Sequence, residues 1–395
     1  MGDMETAALF DSVFLGGFEC SCQRLEDGRR LDLISRTRHD VFAKRDYLRL
    51  REIGITACRD GISWPFVEPL PGTFDFATPR AMIRAARAAG VRVAWDLMHF
   101  GWPEDVDPFS RAFPARFAKY AARVATLLRD EGDESPMITP INETSYLAWA
   151  GADVRVMNPF EKARGVELKV QLVRATLEAI DAIREIAPRA RFLQPEPIIR
   201  IVPDEHHPLT WRRVESDEEL QYQAWDMLAG EVWPSLGGTP DCLDVIGVNF
   251  YPNNQFMLDG TTIERGDDRF TPLSEMLIEV WERYRRPMIV SETGSEGEAR
   301  APWLAYVVDE CIDAMREGVE LHGVTLYPIV NHPGWADGRH CTNGVWDYAD
   351  DRGEREAYEP LVAEILRSTP RLLRARAAVL ERRATEATEA RAIGA

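Results

Sequence analysis

Met137-Ile138-Thr139-Pro140-Ile141-Asn142-Glu143-Thr144 and Pro287-Met288-Ile289-Val290-Ser291-Glu292-Thr293-Gly294 are two apolar strand patterns, each ending in a glutamate. A charge placed directly after a buried strand is costly inside a core. At the mouth of a barrel the same placement is useful, because strand ends carry the chemistry there. Two such carboxylates on one face supply an acid or base and a nucleophile.

Working outward, strand and helix patterns alternate along the whole chain. Strands are predicted over 13–17, 55–64, 91–98, 137–141, 191–194, 243–250, 287–291 and 323–327. Amphipathic helices are predicted over 40–53, 79–89, 114–129, 166–186, 217–229, 273–284, 301–316 and 358–366, with Asp40 and Ser216 as N-caps. Continuous apolar strands between amphipathic helices indicate a parallel sheet covered by helices. Eight such units predict an α/β fold, a closed (β/α)8 TIM barrel, as a single domain over 1–370. An open doubly wound sheet lacks support, since no Gly-x-Gly-x-x-Gly follows the first strand. Residues 371–395, rich in Arg, Ala and Glu, are expected to form a C-terminal helix or tail.

The chain has 395 residues, enough to bury a large core. Its net charge is −18, which argues against nucleic acid or an anionic membrane as partner. No apolar run is long enough to span a bilayer. The first twelve residues lack a basic stretch followed by an apolar core, so no signal peptide is expected. Six cysteines show no zinc spacing, and reduced thiols in a cytoplasmic protein are the default. Whether the chain forms a homo-oligomer is left open.

Residues just past barrel strands point to one shared face. Those positions hold Arg59 and Trp64, His99, Asn142 and Glu143, Glu196, Asn249 and Tyr251, Glu292 and Tyr327. Trp102, His332 and Trp335 lie slightly further out. Acids, an arginine, amide and hydroxyl groups and aromatic rings together suit a polyhydroxylated ring with an apolar face.

Here a resemblance becomes specific. Arg59-Asp60-Gly61-Ile62-Ser63-Trp64-Pro65, His99-Phe100-Gly101-Trp102-Pro103, Asn142-Glu143, Asp244-Val245-Ile246-Gly247-Val248-Asn249-Phe250-Tyr251 and Ile289-Val290-Ser291-Glu292-Thr293-Gly294 follow one another in order. The set resembles the family-1 glycoside hydrolases, the β-glucosidase family of (β/α)8 retaining glycosidases. The likeness runs from about Phe14 to Tyr348. It implies hydrolysis of a small β-linked glycoside or oligosaccharide without cofactor or metal. Glu292 would be the nucleophile, kept ionised by Arg59 and Tyr251, and Glu143 the acid/base. Asn142 would hold the 2-hydroxyl, His99 and Gln23 other hydroxyls. Trp335 would stack on the sugar, Tyr327 would line the floor, and Trp102 would add an aromatic platform. Retention needs the two carboxyl groups roughly 5–5.5 Å apart.

The chain departs from that pattern after the eighth strand. Where the family has Trp-Ser-x-x-Asp-Asn-Phe-Glu-Trp, this sequence has Tyr327-Pro328-Ile329-Val330-Asn331-His332-Pro333-Gly334-Trp335. Gly334 thus stands in the place of a glycone-binding glutamate, and sugar preference does not carry over. Gln23 is off-pattern, with Arg24-Leu25 before Glu26. Three alternatives stay open: an inactive carbohydrate-binding barrel, a transglycosidase, and a metal-dependent barrel hydrolase using His99, Glu196, Glu143 or His206.

Overall fold

The computed structural model describes residues 7–204 and 210–393; His206 lies outside them. Ten strands occur among the described residues. They are β1 Phe14–Gly17, β2 Ala57–Gly61, β3 Arg92–Asp96, β4 Met137–Thr139, β5 Arg191–Pro197, β6 Arg200–Val202, β7 Val245–Asn249, β8 Gln255–Met257, β9 Met288–Thr293 and β10 Leu321–Leu326. Eight close a parallel barrel in the order β1-β10-β9-β7-β5-β4-β3-β2, while β6 and β8 pair separately. The ring closes where Gly16 of β1 pairs with Leu326 of β10 and with Cys58 of β2. The (β/α)8 expectation is correct, and each predicted strand has its counterpart.

The apolar residues fall into two layers. Leu15, Ala57, Ala94, Met137, Leu193, Val245 and Ile289, one from each of seven barrel strands, form one buried cluster with Leu9 and Phe10. Side chains alternate along a strand, so this set faces the barrel interior. The larger cluster fills the space between strands and helices, through residues such as Phe117, Ile180, Leu277 and Val307. Two residues beyond the interior apolar layer the same columns turn polar, at Arg59, Asp96, Thr139 and Ser291. Alternation therefore carries polar groups to the C-terminal mouth of the barrel.

At the opposite end, one helix runs Glu359–Ile393, through the expected boundary at 370/371. Its Leu372 and Val379 are buried. Arg376 donates to the carbonyls of Phe10 (2.8 Å), Asp11 (2.9 Å), Ser12 (3.2 Å) and His322 (3.0 Å), tying the helix to the barrel bottom.

Two local expectations need correction. The predicted helix 217–229 is two helices, Thr210–Glu219 and Gln223–Ala229, and Ser216 lies inside the first rather than at a cap. The break lets the segment serve β6: Glu218 accepts from the Ile201 N–H (2.7 Å) and Gln221 from the Ile199 N–H (2.8 Å). No glycine or proline marks that break in the sequence. In the helix His39–Glu52, predicted over 40–53, Arg38 occupies the cap with φ 58°, and Asp40 lies in the first turn rather than at the cap.

Candidate active site

A cavity of about 560 Å³ opens at the C-terminal ends of the strands. Glu143, Glu292, His99, Tyr251, Tyr327 and Trp335 line it. Arg59 and Asn142 lie buried beneath and hydrogen-bond to its wall. Gln23 and Trp102 are buried elsewhere and do not line it. Gln23 leaves its side-chain oxygen without a hydrogen-bond partner among the described residues.

Simple alternation would send Glu292 out of the barrel, since Ile289 faces inward. A bulge prevents this. Val290 pairs with Val248, but Asn249 pairs with Glu292, so one residue of β9 is skipped. Such a bulge re-aims a side chain, here into the mouth. Glu292 is 5% exposed, and both its oxygens are held: Oε1 by Arg59 Nη1 (2.9 Å) and Oε2 by the Tyr251 hydroxyl (3.0 Å).

Glu143 reaches the cavity by a different device. Pro140 follows β4 and cannot continue its ladder. Three residues on, Glu143 adopts the left-handed conformation (φ 47°, ψ 59°) directly before the helix Thr144–Ala148. That backbone is strained for a non-glycine residue and needs support from its surroundings. The Pro195 carbonyl accepts from the Glu143 N–H (3.1 Å). Glu196 accepts from the Ser145 N–H (2.9 Å) and so pins the start of the helix. The Glu143 carboxyl, 9% exposed, accepts from Asn249 Nδ2 (2.8 Å), and Asn249 in turn accepts from the Ser291 hydroxyl (2.6 Å).

The two carboxyls therefore have unlike settings. Burial, then the negative charge of Glu292, pushes Glu143 up to about 8. Burial also raises Glu292, but a guanidinium opposes it there. A guanidinium and a phenol favour an ionised carboxylate more than one neutral amide does. Of the pair, Glu292 loses its proton first. Glu196 is pushed up to about 7 by burial, with the Ser145 N–H and Lys169 opposing.

Beneath them Arg59, fully buried, organises a closed ring. Its Nη2 donates to Asp96 (2.6 Å) and to Asn142 Oδ1 (3.0 Å). Asp96 meets His99 Nδ1 (3.0 Å), and Asn142 Nδ2 meets His99 Nε2 (3.2 Å). Because Arg59 holds the Asn142 oxygen, the amide N–H faces Nε2, which must accept. Burial works against a charge on His99, while Cys20, Asp96 and Glu19 draw its pKa well above the ordinary value. Cys20 carries no charge near neutrality, since burial pushes its thiol up to about 11. The direct hydrogen bond from Asn142 thus favours a neutral ring with its proton on Nδ1.

Tyr327 stacks parallel to His99 at 5.8 Å and sits over the Arg59 guanidinium. Its ring fits only because residue 17 is glycine: a Cβ there would lie 2.1 Å from the ring. In the loop after β10, a Cβ on Gly334 would meet Asp337 at 2.2 Å, so the loop is built without a side chain at that place. His332 and Asn343 pair there instead (3.1 Å), and Trp335 packs edge-on against Phe100 at 5.5 Å.

Sequence reasoning missed two groups of this site, Asp96 and Glu19, and gave a third, Asn249, no role of its own. Asp96 reads as an interior strand residue, yet it links Arg59 to His99. Asn249 was recognisable only as a strand-end amide. Glu19 follows β1 in Phe18-Glu19-Cys20-Ser21-Cys22, which has no alternation to signal it. It is 7% exposed, lines the cavity, and lies 3.8 Å from His99 Nε2.

Cys20, Asp96 and His99 place three potential metal-ligating atoms within 4.8 Å of one another. The Asp96 oxygen is already shared by Arg59 and His99, and the guanidinium repels a second cation. Of the residues named for a metal site from the sequence, this group includes only His99.

A closed eight-stranded parallel barrel with a polar cavity at its C-terminal mouth defines the class: a (β/α)8 barrel. No protein-family model matches the chain, and no curated protein matches it. Solved structures do. A β-glucosidase from Thermotoga maritima in complex with glucoimidazole has a TM-score of 0.75 at 16% identity, covering 92% of this chain and 99% of that one. A hyperthermophilic β-glucosidase mutant has a TM-score of 0.71 at 18% identity, covering 90% and 99%. The AHE enzyme from Alicyclobacillus herbarius has a TM-score of 0.73 at 17% identity, covering 92% and 98%. At such identities the likeness is one of fold, and it agrees with the fold expected from the motifs.

Proposed function

We propose that the protein is a retaining β-glycosidase. The observation that carries this is the pair of unlike carboxyls on one cavity: Glu292 held by Arg59 and Tyr251, Glu143 held by one amide. Two carboxyls whose surroundings separate their protonation states are suited to nucleophile and acid.

Glu292 attacks the anomeric carbon. The bond from that carbon to the aglycone oxygen breaks, and the Glu143 proton goes to the leaving oxygen. Esterification removes the charge of Glu292, and the pressure holding the proton on Glu143 falls. Glu143 then takes a proton from water, whose oxygen attacks the anomeric carbon and releases Glu292. Asn142 has one Nδ2 hydrogen on His99 and a second left for the sugar 2-hydroxyl. Trp335 and Tyr327 offer apolar ring faces to the sugar. The β-glucosidase neighbour described in complex with glucoimidazole supports this reading by analogy of fold.

Azide rescue tests it. Glu292→Gly should lose hydrolysis of an aryl β-glycoside, and added azide should restore aglycone release with an α-glycosyl azide as product. An active wild type whose variant yields no azide adduct would contradict the scheme.

A further inference from the structure

Glu19 takes no part in the bond-breaking scheme, yet it faces the same cavity. It follows β1, which pairs with β10, and Tyr327 follows β10. Glu143 follows β4, which stands opposite β10 in the ring of strands. A proton donor stands on the leaving-group side of the bond it breaks. The sugar being cleaved therefore lies toward β1 and β10, over Tyr327, His99 and Glu19.

Glu19 is set rigidly there. Ser21 donates to its Oε1 through both the backbone N–H (2.8 Å) and the hydroxyl. No hydrogen bond reaches Oε2 among the described residues, so that oxygen keeps its lone pairs for a ligand. The charge balance of the wall is one-sided. Glu19, Glu292 and Glu296 line the cavity, while no Lys or Arg among the described residues does. Two of these carboxylates are already paired, Glu292 with the buried Arg59, which also holds Asp96 and Asn142, and Glu296 with Arg339 (2.5 and 2.9 Å), whereas Glu19 has no arginine or lysine partner among the described residues. A carboxylate accepts well from sugar hydroxyls, and it disfavours a like charge placed against it.

We propose that Glu19 selects the glycone: its free oxygen accepts from hydroxyls of a neutral sugar, and its charge excludes sugars that carry a carboxylate. This rests on the glycosidase reading above. It also gives a source for the recognition that Gly334, which has no side chain, does not supply.

The test compares 4-nitrophenyl β-D-glucoside and β-D-galactoside with the β-D-glucuronide, for wild type and Glu19→Gln. The wild type should turn over a neutral glycoside and discriminate against the uronide at least tenfold in kcat/KM. Glu19→Gln should lower kcat/KM on the neutral substrate by roughly ten- to a hundredfold, the range of one charge-assisted hydrogen bond. It should also narrow the neutral-to-uronide ratio, and Glu19→Asp should restore part of the neutral activity. A wild type that prefers the uronide overturns the proposal whether or not the variant folds. So does a variant whose ratio is unchanged and whose only change is the acid limb of its pH profile, since that would make Glu19 a modulator of Glu292. A wild type inactive on every glycoside would instead remove the glycosidase reading, and this proposal with it.

Discussion

At the scale of single residues, the site depends on keeping two buried carboxyls apart in protonation. In the proposed mechanism Glu143 acts as an acid only while protonated, so turnover should fall as pH rises through about 8. Turnover should also fall at low pH, as Glu292 becomes protonated. The Asn249 hydrogen bond favours the ionised form of Glu143. Asn249→Ala should therefore move the alkaline limb to higher pH, read from kcat/KM profiles on one aryl glycoside. A limb that stays fixed would mean that another group sets it. The two glutamates were readable from the sequence because a carboxylate directly after a buried apolar run has few structural uses. Glu19 was not, because nothing in its short segment distinguishes a cavity residue from a loop residue.

At the scale of elements, the aim of each glutamate comes from a local irregularity. Glu292 depends on the bulge in β9, and Glu143 on a left-handed residue before a short helix. Neither is legible in the sequence: bulges and positive φ at non-glycine residues arise from neighbouring strands and hydrogen bonds. The strands themselves were legible, since continuous apolar runs between amphipathic helices leave few other folds. The helix break near Leu220 was not, because it answers the backbone of β6 rather than any residue of its own. Glu196 couples element to chemistry. It fixes the helix after Glu143, and its charge raises the Glu143 pKa. Glu196→Gln should shift the alkaline limb downward, opposite in sign to Asn249→Ala. A loss of kcat with the limb unmoved would make Glu196 purely structural.

At the scale of the whole molecule, the barrel has an open mouth and a sealed base. The base is held by Arg376, whose guanidinium serves four backbone carbonyls. Removing the donor leaves buried acceptors unsatisfied, at about 1–3 kcal/mol for each group fully deprived. Arg376→Ala should therefore lower the thermal midpoint by several degrees while leaving KM unchanged, since the mouth lies at the other end of the strands. A variant with unchanged stability would show that the C-terminal helix is not a fastening of the barrel. The charged composition of residues 371–395 left a helix and a tail both open, and it concealed the apolar positions, Leu372 and Val379, that seat the helix.

The central claim is that Glu292 forms a covalent bond to the sugar. A 2-deoxy-2-fluoro β-glycosyl fluoride slows release of that intermediate, so it accumulates. Mass spectrometry of the intact protein should show one added fluorosugar, and peptide mapping should place it on Glu292. Label on another carboxylate, or an active enzyme that never acquires label, would contradict the account.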